Sequence, residues 1–249
     1  MGINYHQIKI KNADLFVIMD DQGYQFIMKD EQMLTLNLAE NLRLHSSGCI
    51  FFQNLEYNAI KLCIKCEILM NISDFGLSKE GLRLVRSNVH AVMNLSDVEE
   101  KGWFKKPLSM WKSPSKKTVW IDLDCEVKDN IDGIFDLLEP NKLAMVKDEP
   151  WILRRKHLWH NSGIVGFIDK PTILSLWCGA VRNNHTTDIG DQEILDKLLN
   201  PITKITYIKD LPNEYNVMRI QTEVDGYDGK IRIMHWTGKK GKDKIRSML

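Results

Sequence analysis

Two periods alternate along this chain. Short apolar runs bounded by turn residues predict strands at 49–52, 82–85, 89–93, 118–121, 144–147, 163–168, 205–208 and 231–234. Apolar positions spaced by three and four predict helices at 55–70, 131–138, 171–182 and 191–199. Strands separated by helices indicate an α/β fold, a mainly parallel sheet with helices on both faces. In such sheets the functional site lies at the carboxyl ends of the strands. Ahead of this pattern, the apolar runs 15–19 and 24–28 flank Asp20-Asp21-Gln22-Gly23 and predict a hairpin, with a short helix after it at 31–44. The expected organisation is a hairpin-and-helix addition over 1–47 and an α/β domain over 48–249.

The run Thr118-Val119-Trp120-Ile121 is β-branched and aromatic, hence a central strand, and it leads directly into Asp122-Leu123-Asp124. Two carboxylates one residue apart repel each other and are costly to bury without a cation. Mn²⁺ or Mg²⁺, with hard oxygen ligands and room for phosphate oxygens, resolves that conflict. A DxD sequence is ordinarily a solvated turn; the hydrophobic strand before it is what points to a metal here.

Three downstream elements occur in a definite order. They are Asn161-Ser162-Gly163 opening an apolar run, Asp191-Gln192-Glu193 at a helix start, and His235-Trp236-Thr237-Gly238-Lys239-Lys240 after a strand. Together with Asp122-Leu123-Asp124 they resemble the motifs of GT-A fold, metal-dependent glycosyltransferases, in particular the glycogenin-like retaining family. The resemblance spans roughly 48–246. It implies a metal held by Asp122, Asp124 and His235. It implies donor contacts from the Asp122–Asp124 turn, including Leu123, and from Asn161, Ser162, Gly238, Lys239 and Lys240. Asp191, Gln192 and Asn161 are expected to surround the reacting sugar. The implied reaction moves a hexose from a nucleoside diphosphate sugar, a UDP-sugar above all, to an acceptor hydroxyl, with retention at the anomeric carbon. An inverting reaction would instead need a base, and Asp191 or Glu193 could serve.

The chain departs from the family at its end. The histidine element usually continues into a "KPW" tail, whereas here the sequence reads Gly238-Lys239-Lys240-Gly241-Lys242, a glycine-punctuated basic loop by its pattern. The phosphate-binding lysine therefore has no assignment by position. Basic residues ahead of the DxD strand, Arg83, Arg86, Lys105, Lys106 and Lys112, include candidates for a diphosphate contact without singling one out. Trp151 and Trp159, flanking Arg154-Arg155-Lys156-His157, are candidates for the acceptor side.

A formal net charge of +1 gives no global attraction to nucleic acid or membrane. The basic C-terminal stretch keeps a DNA acceptor, such as a hydroxymethylated base, open beside a glycan. Five cysteines in apolar stretches suggest no disulfide framework. With no leader pattern and no apolar run of membrane length, a soluble cytoplasmic protein is expected. A nucleotidyltransferase would need a glycine-rich phosphate loop near 48–70, which is lacking. A noncatalytic nucleic-acid-binding protein would leave the DxD unexplained.

Overall fold

The computed structural model describes residues 14–19, 51–52, 68–74, 79, 91–95, 98–100, 102–184 and 190–248. In chain order the strands are β1 (Asp14–Met19), β2 (Phe51–Phe52), β3 (Ile68–Asp74), β4 (Ala91–Asn94), β5 (Lys117–Asp122) and β6 (Cys125–Val127). They continue with β7 (Leu143–Lys147), β8 (His160–Ile168), β9 (Ile208–Asp210), β10 (Val217–Met218) and β11 (Ile233–His235). The large sheet has the order β2-β3-β1-β5-β8-β7-β9, with β4 also paired to β3. Among the described residues its pairings are parallel, except those that β8 makes with β5 and β7. A small sheet, β10-β11-β6, stands beside it.

The pattern of buried positions explains which strands were legible. From Thr118 onward β5 is buried throughout. The strand β8 is buried from His160 to Phe167. A strand covered on both faces reads as a continuous apolar run rather than an alternation. Helices α1 (Lys105–Trp111), α2 (Glu149–Arg155), α3 (Thr172–Asn184) and α4 (Asp191–Leu198) follow, then α5 (Pro201–Tyr207), α6 (Arg219–Glu223) and α7 (Gly238–Met248). Helix α3 packs between α1 and α4, and Trp120, Phe167 and Trp177 are fully buried in the core.

Several expectations change. Residues 15–19, expected in an appended hairpin, form a strand inside the large sheet, parallel to β3 and β5, with Val17 beside Trp120. The hairpin's second arm at 24–28 and the helix at 31–44 lie outside the described residues, as do 49–50, 55–67, 82–85 and 89–90 of the elements predicted above. Residues 68–70, expected to end a helix, begin β3. Residues 205–207, expected as a strand, end α5 instead. Asn200 caps that helix, accepting from the backbone N–H of Ile202 and Thr203, with Pro201 in the first turn, and these signals outweigh the β-branched residues. Residues Asp132–Leu137 form a 3₁₀ helix rather than an α-helix. The C-terminal basic stretch is not a loop: it is α7, with Gly238 at φ 73°. A Cβ at Gly241 would lie 2.0 Å from the Trp236 carbonyl oxygen, so glycine lets the helix close on that strand end.

Candidate active site

The site begins with a break in pairing. Met145 pairs with Val165 and Val146 with Asn161, so 162–164 bow out of the β7 ladder. On the other side, pairing with β5 reaches Ile164 opposite Ile121. Backbone groups freed in a buried place must bond elsewhere. Ser162 N–H donates to Gln192 Oε1 and Gly163 N–H to Asn161 Oδ1, both at 2.8 Å, and Lys106 Nζ donates to Ser162 O at 3.2 Å. The bow opens a pocket of about 270 Å³ at the carboxyl end of β5. Asp122, Asp124, Asn161, Asp191 and His235 meet around it.

One side of this pocket is saturated. Lys106, buried on α1, donates to Asp122 Oδ2 at 2.9 Å and to Ser162 Oγ at 3.2 Å. The Trp120 indole N–H donates to Asp122 Oδ1 at 2.5 Å. Lys106 Nζ also stands 3.6 Å from Asp191 Oδ2. Burial pushes the Asp191 carboxyl above its ordinary pKa, against the opposing pull of Lys106.

The other side is open. Both oxygens of Asp124 are buried, and with a neutral imidazole neither receives a hydrogen bond from a described residue. His235 Nε2 is 3.1 Å from Oδ1 and Lys242 Nζ is 3.9 Å from Oδ2. Burial alone would raise the Asp124 pKa; His235, Lys242 and Lys106 outweigh it and hold the carboxyl below its ordinary value.

A chain of side chains fixes the imidazole. The Gly163 N–H can only donate, so the atom it meets is Asn161 Oδ1, and Asn161 Nδ2 turns to Asp148 Oδ2 at 3.1 Å. Asn216 Nδ2 donates to the same Asn161 Oδ1 at 2.9 Å, leaving Asn216 Oδ1 to face His235 Nδ1 at 3.0 Å. His235 therefore carries its proton on Nδ1. In the neutral ring, Nε2 then aims a lone pair at a carboxylate 3.1 Å away. Two acceptors so placed need a second ring proton or a cation between them. The ring also lies hard against Gly163, where an added Cβ would fall 2.2 Å from His235 Cε1.

Four buried carboxylates, Asp122, Asp124, Asp148 and Asp191, thus gather here with the buried lysines Lys106 and Lys242 beside them, and burial raises the pKa of Asp148 and Asp191. The paired carboxylates of the turn and the Asp124 oxygen facing the imidazole suit a divalent cation. Asp124, Cys125 and His235 each offer a donor atom within 4.8 Å of the others.

Most residues expected from the sequence meet at this pocket. Asp122, Asp124, Asn161, Ser162, Asp191, Gln192, His235 and Gly238 line it. Leu123 turns into the core, while Lys239 and Lys240 lie on the exposed face of α7. Lys242, two residues on, is the buried lysine. Asp148 and Asn216 were not foreseen. Asp148 had a local signal, since it precedes Glu149-Pro150 and caps α2 by accepting from the Trp151 N–H. Asn216 had none.

No family model matches the chain, and no curated protein matches it. Solved structures do. The chain is similar to WbbM, a bifunctional glycosyltransferase, with TM-score 0.58 and 16% identity over 92% of this chain and 46% of that one. It spans about half of that protein. It is similar to an active-site mutant of LgtC, with TM-score 0.58 and 13% identity over 94% of both chains. A glycosyltransferase involved in glycosylation of the major capsid of PBCV-1 gives TM-score 0.56 and 11% identity, over 94% of this chain and 100% of that one. The fold is that of GT-A type glycosyltransferases.

Proposed function

We propose that the chain is a glycosyltransferase that moves a hexosyl group from a nucleoside diphosphate sugar, a UDP-sugar, to an acceptor hydroxyl. The carrying observation is the cluster of four buried carboxylates, Asp122, Asp124, Asp148 and Asp191, lining one pocket. A galactosyltransferase of the same fold, LgtC, is known in complex with donor and acceptor sugar analogs, which supports the same use here.

Asp124 and His235 would hold Mn²⁺ or Mg²⁺, with Asp122 facing the same pocket from the other end of the turn. Such an ion neutralises a diphosphate and stabilises its departure. Lys242 and the N-terminus of α7, where Thr237 and Gly238 line the pocket, suit the remaining phosphate charge. Asp191 Oδ2 accepts a sugar hydroxyl, and Lys106 holds Asp191 and Asp122 in place. Asn161 and Gln192 brace the bowed strand through their oxygens and each gives one amide proton to Asp148. The second proton of each is left for the sugar. The acceptor enters past Trp103 and Trp151, where Arg154 and Arg155 stand 5.5 and 4.8 Å from the Trp151 ring centre. Retention belongs to the same proposal, and the anomer of the product tests it.

Incubation with Mn²⁺ and a panel of nucleotide sugars is the direct test. Slow, chelator-sensitive hydrolysis of one donor is expected. Absence of binding and turnover across the panel overturns the reading.

A further inference from the structure

The donor triangle that the fold assembles differs from the one the sequence suggests, and one of its corners is sulfur. Antiparallel pairing of β6 with β11 sets Cys125 directly opposite His235. Paired residues present their side chains on the same face of a sheet. Asp124 precedes Cys125 in the chain, and donor atoms of all three lie within 4.8 Å of one another, buried. At 2% exposure, neither Asp124 oxygen receives a hydrogen bond from a described residue while the imidazole is neutral. Asp122, by contrast, has its oxygens on Lys106 and Trp120.

Resting on the metal-site reading above, we propose that Cys125 is a metal ligand and that the centre takes a thiophilic divalent ion, Zn²⁺, through Asp124, Cys125 and His235. The Zn²⁺ occupies donors that Mn²⁺ also needs, so the two ions exclude each other. Oxygen, sulfur and nitrogen are each donor types that zinc accepts, and three protein ligands leave a fourth position open. Bonds of about 2.0–2.3 Å place such donors roughly 3–4 Å apart, so the triangle has to tighten on binding, with Cys125 approaching from the core side of the pocket. Thiolate and carboxylate together cancel the charge of the ion, and the thiol proton leaves to the buffer on binding. Zn²⁺ outcompetes Mn²⁺ at mixed nitrogen, oxygen and sulfur sites, and thiolate widens the gap. The centre is thereby open to inhibition by trace zinc.

Titration of the full chain with Co²⁺, read by absorption, tests this without any turnover. The expected result is a thiolate-to-cobalt charge-transfer band that saturates at one equivalent, is bleached by Zn²⁺ and is absent in Cys125→Ser. In that variant Zn²⁺ affinity should fall by more than the ~10–100-fold that loss of a supporting residue costs, while Mn²⁺ still binds. Cys125→Ala repeats the test if the serine variant does not fold. Bound Co²⁺ with no such band, or a band that persists in both variants, overturns Cys125 as a ligand and leaves Asp124 and His235 standing. If wild type binds neither Co²⁺ nor Mn²⁺, the metal centre falls, and this inference with it.

Discussion

Asp122 and Asp124 carry the same carboxylate at the two ends of one turn, in opposite circumstances. Asp122 receives hydrogen bonds on both oxygens, from Trp120 and Lys106. Asp124 is equally buried, but its oxygens face His235 Nε2 at 3.1 Å and Lys242 Nζ at 3.9 Å. Burying a charge is tolerable when it is paired and hydrogen-bonded, and expensive otherwise. The first aspartate thus belongs to the frame of the pocket. The second holds binding capacity in reserve, kept ionised by the positive groups around it.

Removing the cation that completes the frame should have the largest effect. Lys106→Met leaves Asp122 buried without its counter-charge, and a cost of ~3–5 kcal/mol is expected in urea unfolding. Asp124→Asn should cost only ~1 kcal/mol in metal-free buffer, yet lower Mn²⁺-dependent donor turnover by at least ~100-fold. Equal stability losses in the two variants would erase the distinction between frame and reserve.

A smaller effect is expected from residues that touch neither aspartate but hold the imidazole. Asn216→Ala removes the acceptor on His235 Nδ1, and Gly163→Ala drives a methyl group into the ring. Each should weaken Mn²⁺ binding ~10–100-fold, measured by electron spin resonance titration. The glycine variant should also lose ~1–3 kcal/mol of stability from overpacking. Full Mn²⁺ affinity in both would remove His235 from the metal shell.

The smallest contrast lies within α7. Lys242→Met should weaken nucleotide affinity ~10-fold, the low end for a charge-assisted hydrogen bond. Neutralising exposed Lys239 and Lys240 together should leave it nearly unchanged. If those two guide nucleic acid instead, the log–log salt slope of DNA binding should drop by about one unit for each phosphate that is no longer neutralised. A wild-type chain with no salt-sensitive DNA binding eliminates the nucleic-acid acceptor.

The framework was legible where chemistry is local. A buried strand running into Asp122-Leu123-Asp124 shows in the sequence because hydrophobic period and turn chemistry are adjacent there, and a strand end before His235 shows for the same reason. What the sequence hid depends on partners far along the chain. Lys106 was one of five basic residues, and only the packing of α1 under the bowed β8 distinguishes it. Asn161 and Gln192 looked like sugar contacts because their amides are free on paper; the unpaired backbone of Ser162 and Gly163 claims their oxygens first. Asn216 stands in a short irregular segment with no period at all, so its role appears only when β8 and β11 are brought together. The lysine- and glycine-rich tail reads as a loop because Gly238 and Gly241 lower helix propensity, while burial of Lys242 and Ile245 supplies what propensity lacks.

The small sheet β10-β11-β6 has a consequence for how the chain acquires its competence. It ties the Asp124 turn to a segment from the far end of the sequence, with the Trp236 N–H donating to the Asp124 carbonyl at 2.8 Å. Pairings of such long sequence separation form at a high entropic cost and govern the pace of folding. A chain caught before β11 docks can possess the large sheet and its aspartates, yet has no imidazole opposite them. An ion that binds only the docked form draws the population toward it by mass action, more strongly the further its concentration exceeds its dissociation constant. The cation would then act as a clasp on the last piece to arrive, so that folding is completed and the site switched on in the same event.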